Sequence, residues 1–171
     1  MMLLFLLSIV LVVCVFTDLK NRKIYNIVIF PSLLLAIVFN VFLHGWTGLL
    51  DSLLGFLLGF GILLIPYLMG GMGAGDVKFL ALIGAIMGPA FVFSTTIYMA
   101  LLGGVIGLII LLFRGGFIHN MKSFFQALWG IKYGIKPEMG FKSRMNTTFP
   151  YGVAIAGGAF LTFILHGVVF P

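Results

Sequence analysis

The chain has 171 residues, 62% of them hydrophobic and only 8% charged. Soluble domains run near a quarter charged, so this composition belongs in a bilayer and leaves no room for a sizeable soluble domain. The net charge of +6 lies close to apolar runs, where it reports topology or lipid contact rather than nucleic-acid binding.

A hydrocarbon core about 30 Å thick takes roughly 20 apolar residues per helix, so the length accommodates about six spans with short connections. In chain order, apolar runs bounded by charge, proline or glycine fall at 2–16, 27–43, 49–69, 77–93, 96–113 and 150–170. The first run, MLLFLLSIVLVVCVF, lacks a basic n-region, and no A-x-A-like site precedes the charges that begin at Asp18. It therefore reads as a retained helix and not as a secretory signal. Cys14, the single cysteine, excludes an internal disulfide and a cysteine-cage metal site, and reads as a small apolar residue within this helix. The fourth and fifth runs are divided either at Gly88 and Pro89 or at Ser94 and Thr95; the boundary is set at the latter pair. Gly55 with Gly59, Gly84 with Gly88, and Gly103 with Gly107 are small-xxx-small pairs that let helices approach closely in lipid.

Basic residues fix the orientation. Lys20, Arg22 and Lys23 follow the first run, Lys78 opens the fourth, and the remaining six, from Arg114 to Arg144, lie between the fifth and sixth. With six spans these three connections share one face. All ten Lys and Arg residues fall there, which makes that face cytoplasmic and puts both termini outside. Within the loop 114–148, Phe117, Ile118, Met121, Phe124, Phe125, Leu128 and Trp129 draw one apolar stripe, with Lys122 and Gln126 on other faces. That pattern predicts an interfacial helix on the cytoplasmic leaflet, its basic residues favouring anionic lipid. The expected fold is thus an all-α polytopic membrane domain spanning the whole chain.

Four carboxylates interrupt this chain: Asp18, Asp51, Asp76 and Glu138. Asp51 fits an interfacial charge on the outer side, and Glu138 a solvated residue among lysines. Asp18 closes the first run and Asp76 opens the fourth, so both come to the cytoplasmic membrane boundary. Read singly, each fits a helix-end charge reaching for solvent, and Asp76 also fits an N-cap. Two acids at one depth, one of them in the glycine-rich GGMGAGDVKF stretch from Gly70, point instead to shared chemistry. Ionisable groups at membrane depth are costly and mark function. Two neighbouring carboxylates cannot both ionise easily, so one keeps a proton and the pair supplies an acid and a base. The same acids would also serve a proton relay in a small transporter, although no internal repeat of the transporter kind is evident.

Other chemistries find no support. His44, His119 and His166 are scattered, and the glycine-rich stretch is not a phosphate loop. The sequon at Asn146 falls in the cytoplasmic loop and is a chance match.

These residues resemble the type IV prepilin peptidase and archaeal preflagellin peptidase family, the membrane-embedded GxGD aspartic proteases. Gly73-Ala74-Gly75-Asp76 matches the GxGD motif, continued by Val77-Lys78 as in the common GDVK form. Asp18, five residues, then Ile24-Tyr25-Asn26 is similar to the family's D-x5-I-P-N, with Tyr25 standing where the family has proline. Pro150-Tyr151-Gly152 resembles its late P-[FY]-G segment. The resemblance implies that Asp18 and Asp76 are the catalytic pair, with Gly73, Gly75, Lys78, Asn26, Pro150 and Gly152 as supporting motif residues. It implies cleavage of the short basic leader from type IV prepilin-like precursors, on the cytoplasmic side of the inner membrane, by water and without a cofactor. A related GxGD intramembrane protease with other substrates is the alternative within the same chemistry. Longer members carry an N-terminal segment with paired cysteines and are also N-methyltransferases; that segment is not in this sequence, so a peptidase without methyl transfer is expected.

Overall fold

The computed structural model describes residues 2–21, 24–113 and 151–166, the side chains of 110–113 and 166 aside. Among the described residues there are five helices: α1 (Met2–Asn21), α2 (Asn26–Leu68), α3 (Ala74–Met87), α4 (Pro89–Phe113) and α5 (Tyr151–His166). Among the described residues, three stretches are long and apolar enough to cross a membrane: Met2–Asn21, Asn26–Leu68 and Pro89–Ile109. The chain divides into two compact units, one of Met1–Leu102 with Pro150–Pro171, the other Gly103–Phe149. Of the second unit the described part is the end of α4, where Gly104 and Gly107 face open space. Everything below concerns the first unit.

The apolar runs at 27–43 and 49–69 stand on one 43-residue helix, α2, which breaks at Gly45 with φ 60° and ψ −136°. That backbone conformation is closed to side-chain-bearing residues, so glycine is what permits the break. The break is a reversal. Asn40 Nδ2 donates to the Ala85 carbonyl at 3.1 Å, and Ser52 Oγ donates to the same oxygen at 2.7 Å. On a straight helix those two residues would stand about 18 Å apart along the axis. Gly48, past the bend, lies directly against the Asn40 carbonyl, with no room for a side chain.

The fourth and fifth runs divide not at Ser94 and Thr95, where the boundary was set, but at the other pair weighed, Gly88 and Pro89. Ser94 and Thr95 lie inside α4, and the break falls at Gly88, whose φ of 84° and ψ of 176° again suit glycine. Pro89 follows as the first residue of α4, a position where its missing N–H costs nothing. Hydroxyls such as Ser94 and Thr96 cannot end a helix in apolar surroundings. They fold back onto carbonyls one turn earlier, Ala90 at 3.2 Å and Val92 at 2.7 Å, and leave the ladder intact. The first helix also runs further than the apolar run 2–16, through Asp18 to Asn21. The interfacial helix expected within 114–148 lies outside the described residues, as do Pro150 and the stretch beyond His166.

The core of the unit is α3. From Val77 to Ile86 all but Lys78 are buried. It packs most extensively on α2 and also touches α1 and α5. The α2–α3 approach is backbone to backbone: a Cβ placed on Gly55 would strike the Gly84 carbonyl oxygen, and one on Gly84 would strike that of Gly55. Small residues at such a crossing gain dispersion contact along the whole interface, the main driving force between helices in lipid. Beyond that crossing, α3 ends, and its last carbonyls would be orphaned. Asn40 Nδ2 serves Ala85 and Ile86, the latter at 3.3 Å, while Ser52 shares Ala85. Two side chains from the folded arms of α2 thus cap α3 from outside.

Replacing Gly84 by alanine forces this interface apart, and thermal unfolding in detergent should report a loss of about 1–3 kcal/mol. Alanine at Gly61, which has open space around it, should instead stabilise by about 0.5–1 kcal/mol through helix propensity.

Candidate active site

At the end of the unit opposite Asn40, four chain segments converge. The last turn of α1 brings Asp18, the α1–α2 turn brings Ile24, the start of α3 brings Asp76, and the start of α5 brings Gly152. The α1–α2 turn is closed by Asn21 Nδ2 donating to the Tyr25 hydroxyl at 3.1 Å. Tyr25 takes the extended N-cap conformation, φ −84° and ψ 132°, from which α2 starts. Gly75 lies against this turn: a Cβ there would sit 3.2 Å from Ile24 Cβ and 3.5 Å from its backbone nitrogen. The second glycine of GAGD is therefore a close-approach residue that lets α3 enter beside the turn.

Asp76 stands on the first turn of α3, where Asp76 Oδ2 accepts the Gly73 N–H at 3.2 Å. This ties the carboxylate to the residue that caps its own helix. Lys78, half-buried two residues on, points elsewhere. Its Nζ donates to Asn26 Oδ1 at 2.9 Å and lies 5.8 Å from the centre of the Phe30 ring. The lysine thus stitches the start of α3 to the start of α2.

Asp18, 134 residues before its partner, has Asp18 Oδ2 accepting the Gly152 N–H at 3.0 Å. Gly152 is buried and Tyr151 before it is half-buried. Both acids are withdrawn from solvent, Asp18 with 6% and Asp76 with 9% of its surface exposed.

Asp76 lies outside the three long apolar helices, and burial pushes its carboxyl up from 3.8 to about 6. The Gly73 hydrogen bond opposes that rise and the charge of Asp18 adds to it. The two carboxylates therefore act on each other across the α1–α3 junction, and between them they can hold a proton at a pH where ordinary acids have lost theirs.

Of the residues singled out in the sequence, the structure gathers Asp18, Asp76, Gly73, Gly75, Lys78, Asn26 and Gly152 at this one end; Pro150 lies outside the described residues. Asp51 is exposed on the second arm of α2, and His44 is exposed beside the Gly45 bend. Among the described residues no three His, Cys, Asp or Glu side chains gather as metal ligands would. Ile24 was quoted with the motif that follows Asp18 but not singled out as a site residue; its contact with Gly75 shows what it does there.

The family model for type IV leader peptidases matches residues 5–112, more than half of the chain and a stretch containing both acids. The chain belongs to the type IV leader peptidase family. The matched stretch ends well before Gly152, so the residue that meets Asp18 comes from beyond it. No curated protein and no solved structure matches the chain.

The raised Asp76 makes a pH prediction. An acid whose folded pKa exceeds its unfolded one binds a proton on folding, so its contribution to stability falls as pH rises from about 4 to about 6. Asp76→Asn keeps the acceptor for Gly73 but has no charge to bury. Its unfolding midpoint in detergent should rise relative to wild type across that window and keep a constant advantage above it.

Proposed function

We propose that this leader peptidase is a membrane aspartic endopeptidase that removes the short basic leader from type IV prepilin-like precursors at the cytoplasmic boundary of the inner membrane, with Asp18 and Asp76 as its reacting groups. The observation that carries this reading is the burial of both acids where the end of α1 meets the start of α3. Family membership supports a peptidase, and the acid pair supports the aspartic type.

In this mechanism the pair holds one proton. The ionised carboxylate takes a proton from a water molecule as its oxygen attacks the scissile carbonyl carbon. The protonated partner gives its proton to the carbonyl oxygen, and a neutral tetrahedral diol forms. As the C–N bond breaks, the proton taken from water passes to the departing amine. The diol's hydroxyl proton returns to the other acid, and the pair is restored. Water is the nucleophile, so no cofactor enters.

The topology we propose has six crossings with both termini outside. Each arm of α2 crosses once, and Lys20, Arg22, Lys23, Lys78 and the basic residues of 114–144 face the cytoplasm. The basic loop then lies against anionic lipid. The precursor's hydrophobic helix packs beside the bundle, leaving its leader junction at the depth of the two acids.

Purified protein incubated with a prepilin-like precursor, read by intact mass, tests the reading. Asp18→Asn and Asp76→Asn should each lower the cleavage rate by at least about 10²-fold while the protein remains folded. Wild-type cleavage by either variant removes the pair from the mechanism. A cut within the precursor's hydrophobic helix would instead favour an intramembrane protease with other substrates.

A further inference from the structure

The first turn of α5 has no place in the acid pair itself, yet it touches one member. Gly152 is the second residue of α5, and an N–H there has no partner within its own helix. It is spent on Asp18, and the bond is buried. The helix that presents it is held from behind. Thr95 Oγ1 of α4 donates to Thr162 Oγ1 of α5 at 3.3 Å, and Thr162 Oγ1 donates to the Gly158 carbonyl at 2.9 Å. Gly158 lies so close to α4 that a Cβ on it would sit 2.7 Å from both the Thr95 carbonyl oxygen and the Met99 nitrogen. The N-terminal end of α5 is therefore a fixed donor, and its dipole favours a negative group.

The carboxylate it meets is crowded by the same residue. An aspartate on the last turn of α1 can rotate about two side-chain bonds, and the arc open to Asp18 is limited by Gly152. A Cβ at residue 152 would lie 2.6 Å from Asp18 Oδ2, 2.9 Å from Cγ and 3.1 Å from Cβ. Any side chain there would turn the carboxylate out of its present orientation or push α5 away from α1.

We infer that Gly152 is a positioning residue of the site: its N–H fixes the orientation of the Asp18 carboxylate, and its lack of a side chain leaves the space in which that carboxylate sits. The inference rests on the reading of Asp18 and Asp76 as the reacting pair. It extends the site beyond the stretch matched by the family model, to a helix joined to the others by residues 114–150.

The test compares steady-state leader cleavage by Gly152→Ala, Asp18→Asn and Gly61→Ala, the last in open space on α2. A misplacement of about 1 Å is enough to lower kcat roughly 10²-fold, and since Gly152 touches the acid and not the precursor, KM should stay within about twofold. Gly61→Ala should match wild type in both constants. A wild-type kcat for Gly152→Ala, or a loss confined to KM, overturns the inference while an inactive Asp18→Asn leaves the acid pair standing. An active Asp18→Asn overturns the pair itself. Folding is covered by a double-mutant cycle: the unfolding midpoint should fall for Gly152→Ala when Asp18 is present and change little in an Asp18→Ala background. An equal fall in both backgrounds means that the collision is not with Asp18, and the inference fails even if Gly152→Ala alone cannot be purified.

Discussion

The contact of Gly55 with Gly84, main chain on main chain, sets how deeply α3 lies, and the site depends on that depth. A side chain on either residue would hold the helices apart by the width of a methyl group or more. Asp76 would then stand at a surface with water on one side, and its carboxyl would behave as an ordinary acid. With the contact made, the first turn of α3 is drawn in until it meets the α1–α2 turn and the end of α1. Asp76 is buried there beside another acid. The chemistry at one end of α3 is thus prepared by dispersion contacts near its other end.

Polar groups in such surroundings must be answered, and each end of α3 does this differently. At the far end the donors are side chains, Asn40 and Ser52, and the acceptors are helix carbonyls. At the site end the donors are backbone N–H groups, of Gly73 and Gly152, and the acceptors are the two carboxylates. Among the described residues no buried side-chain nitrogen or oxygen is left without a partner. Lys78 follows the same rule: its charge is spent on Asn26 and the Phe30 ring. A cation two residues from Asp76 therefore braces the helix start, its hydrogen bond directed to α2.

Much of this was legible in the sequence, because charge is so rare in it. Two acids beside apolar runs, one preceded by Gly73 and Gly75, stand out without any structure. The small-residue pairs correctly marked Gly55, Gly59 and Gly84 as packing positions, since close approach leaves no alternative to glycine. The reversal at Gly45 and the break at Gly88 were harder to read. Glycine serves both close packing and positive φ, and its letter does not say which, so Gly88 read both as one of a packing pair and as one of two candidate boundaries. Ser94 and Thr95 misled for a related reason. Hydroxyls suggest a break by polarity, but Ser94 satisfies itself on the preceding turn and Thr95 on Thr162 of α5, so neither disturbs the helix. The partner of Asp18 was marked only through the family's late segment, because no periodicity links residues 134 positions apart.

The bend at Gly45 bears on how α3 is oriented. The two arms of α2 are neighbours in sequence, whereas the acceptors of Ser52 and of part of the Asn40 amide, on Ala85 and Ile86, lie at the far end of α3, beyond the glycine-rich stretch. Without α3 those two donors lack the carbonyls they meet in the folded chain, and what answers them is a helix end with bare carbonyls. The polar pair that caps α3 is thus satisfied by α3 in one orientation, the one that brings Asp76 to Asp18.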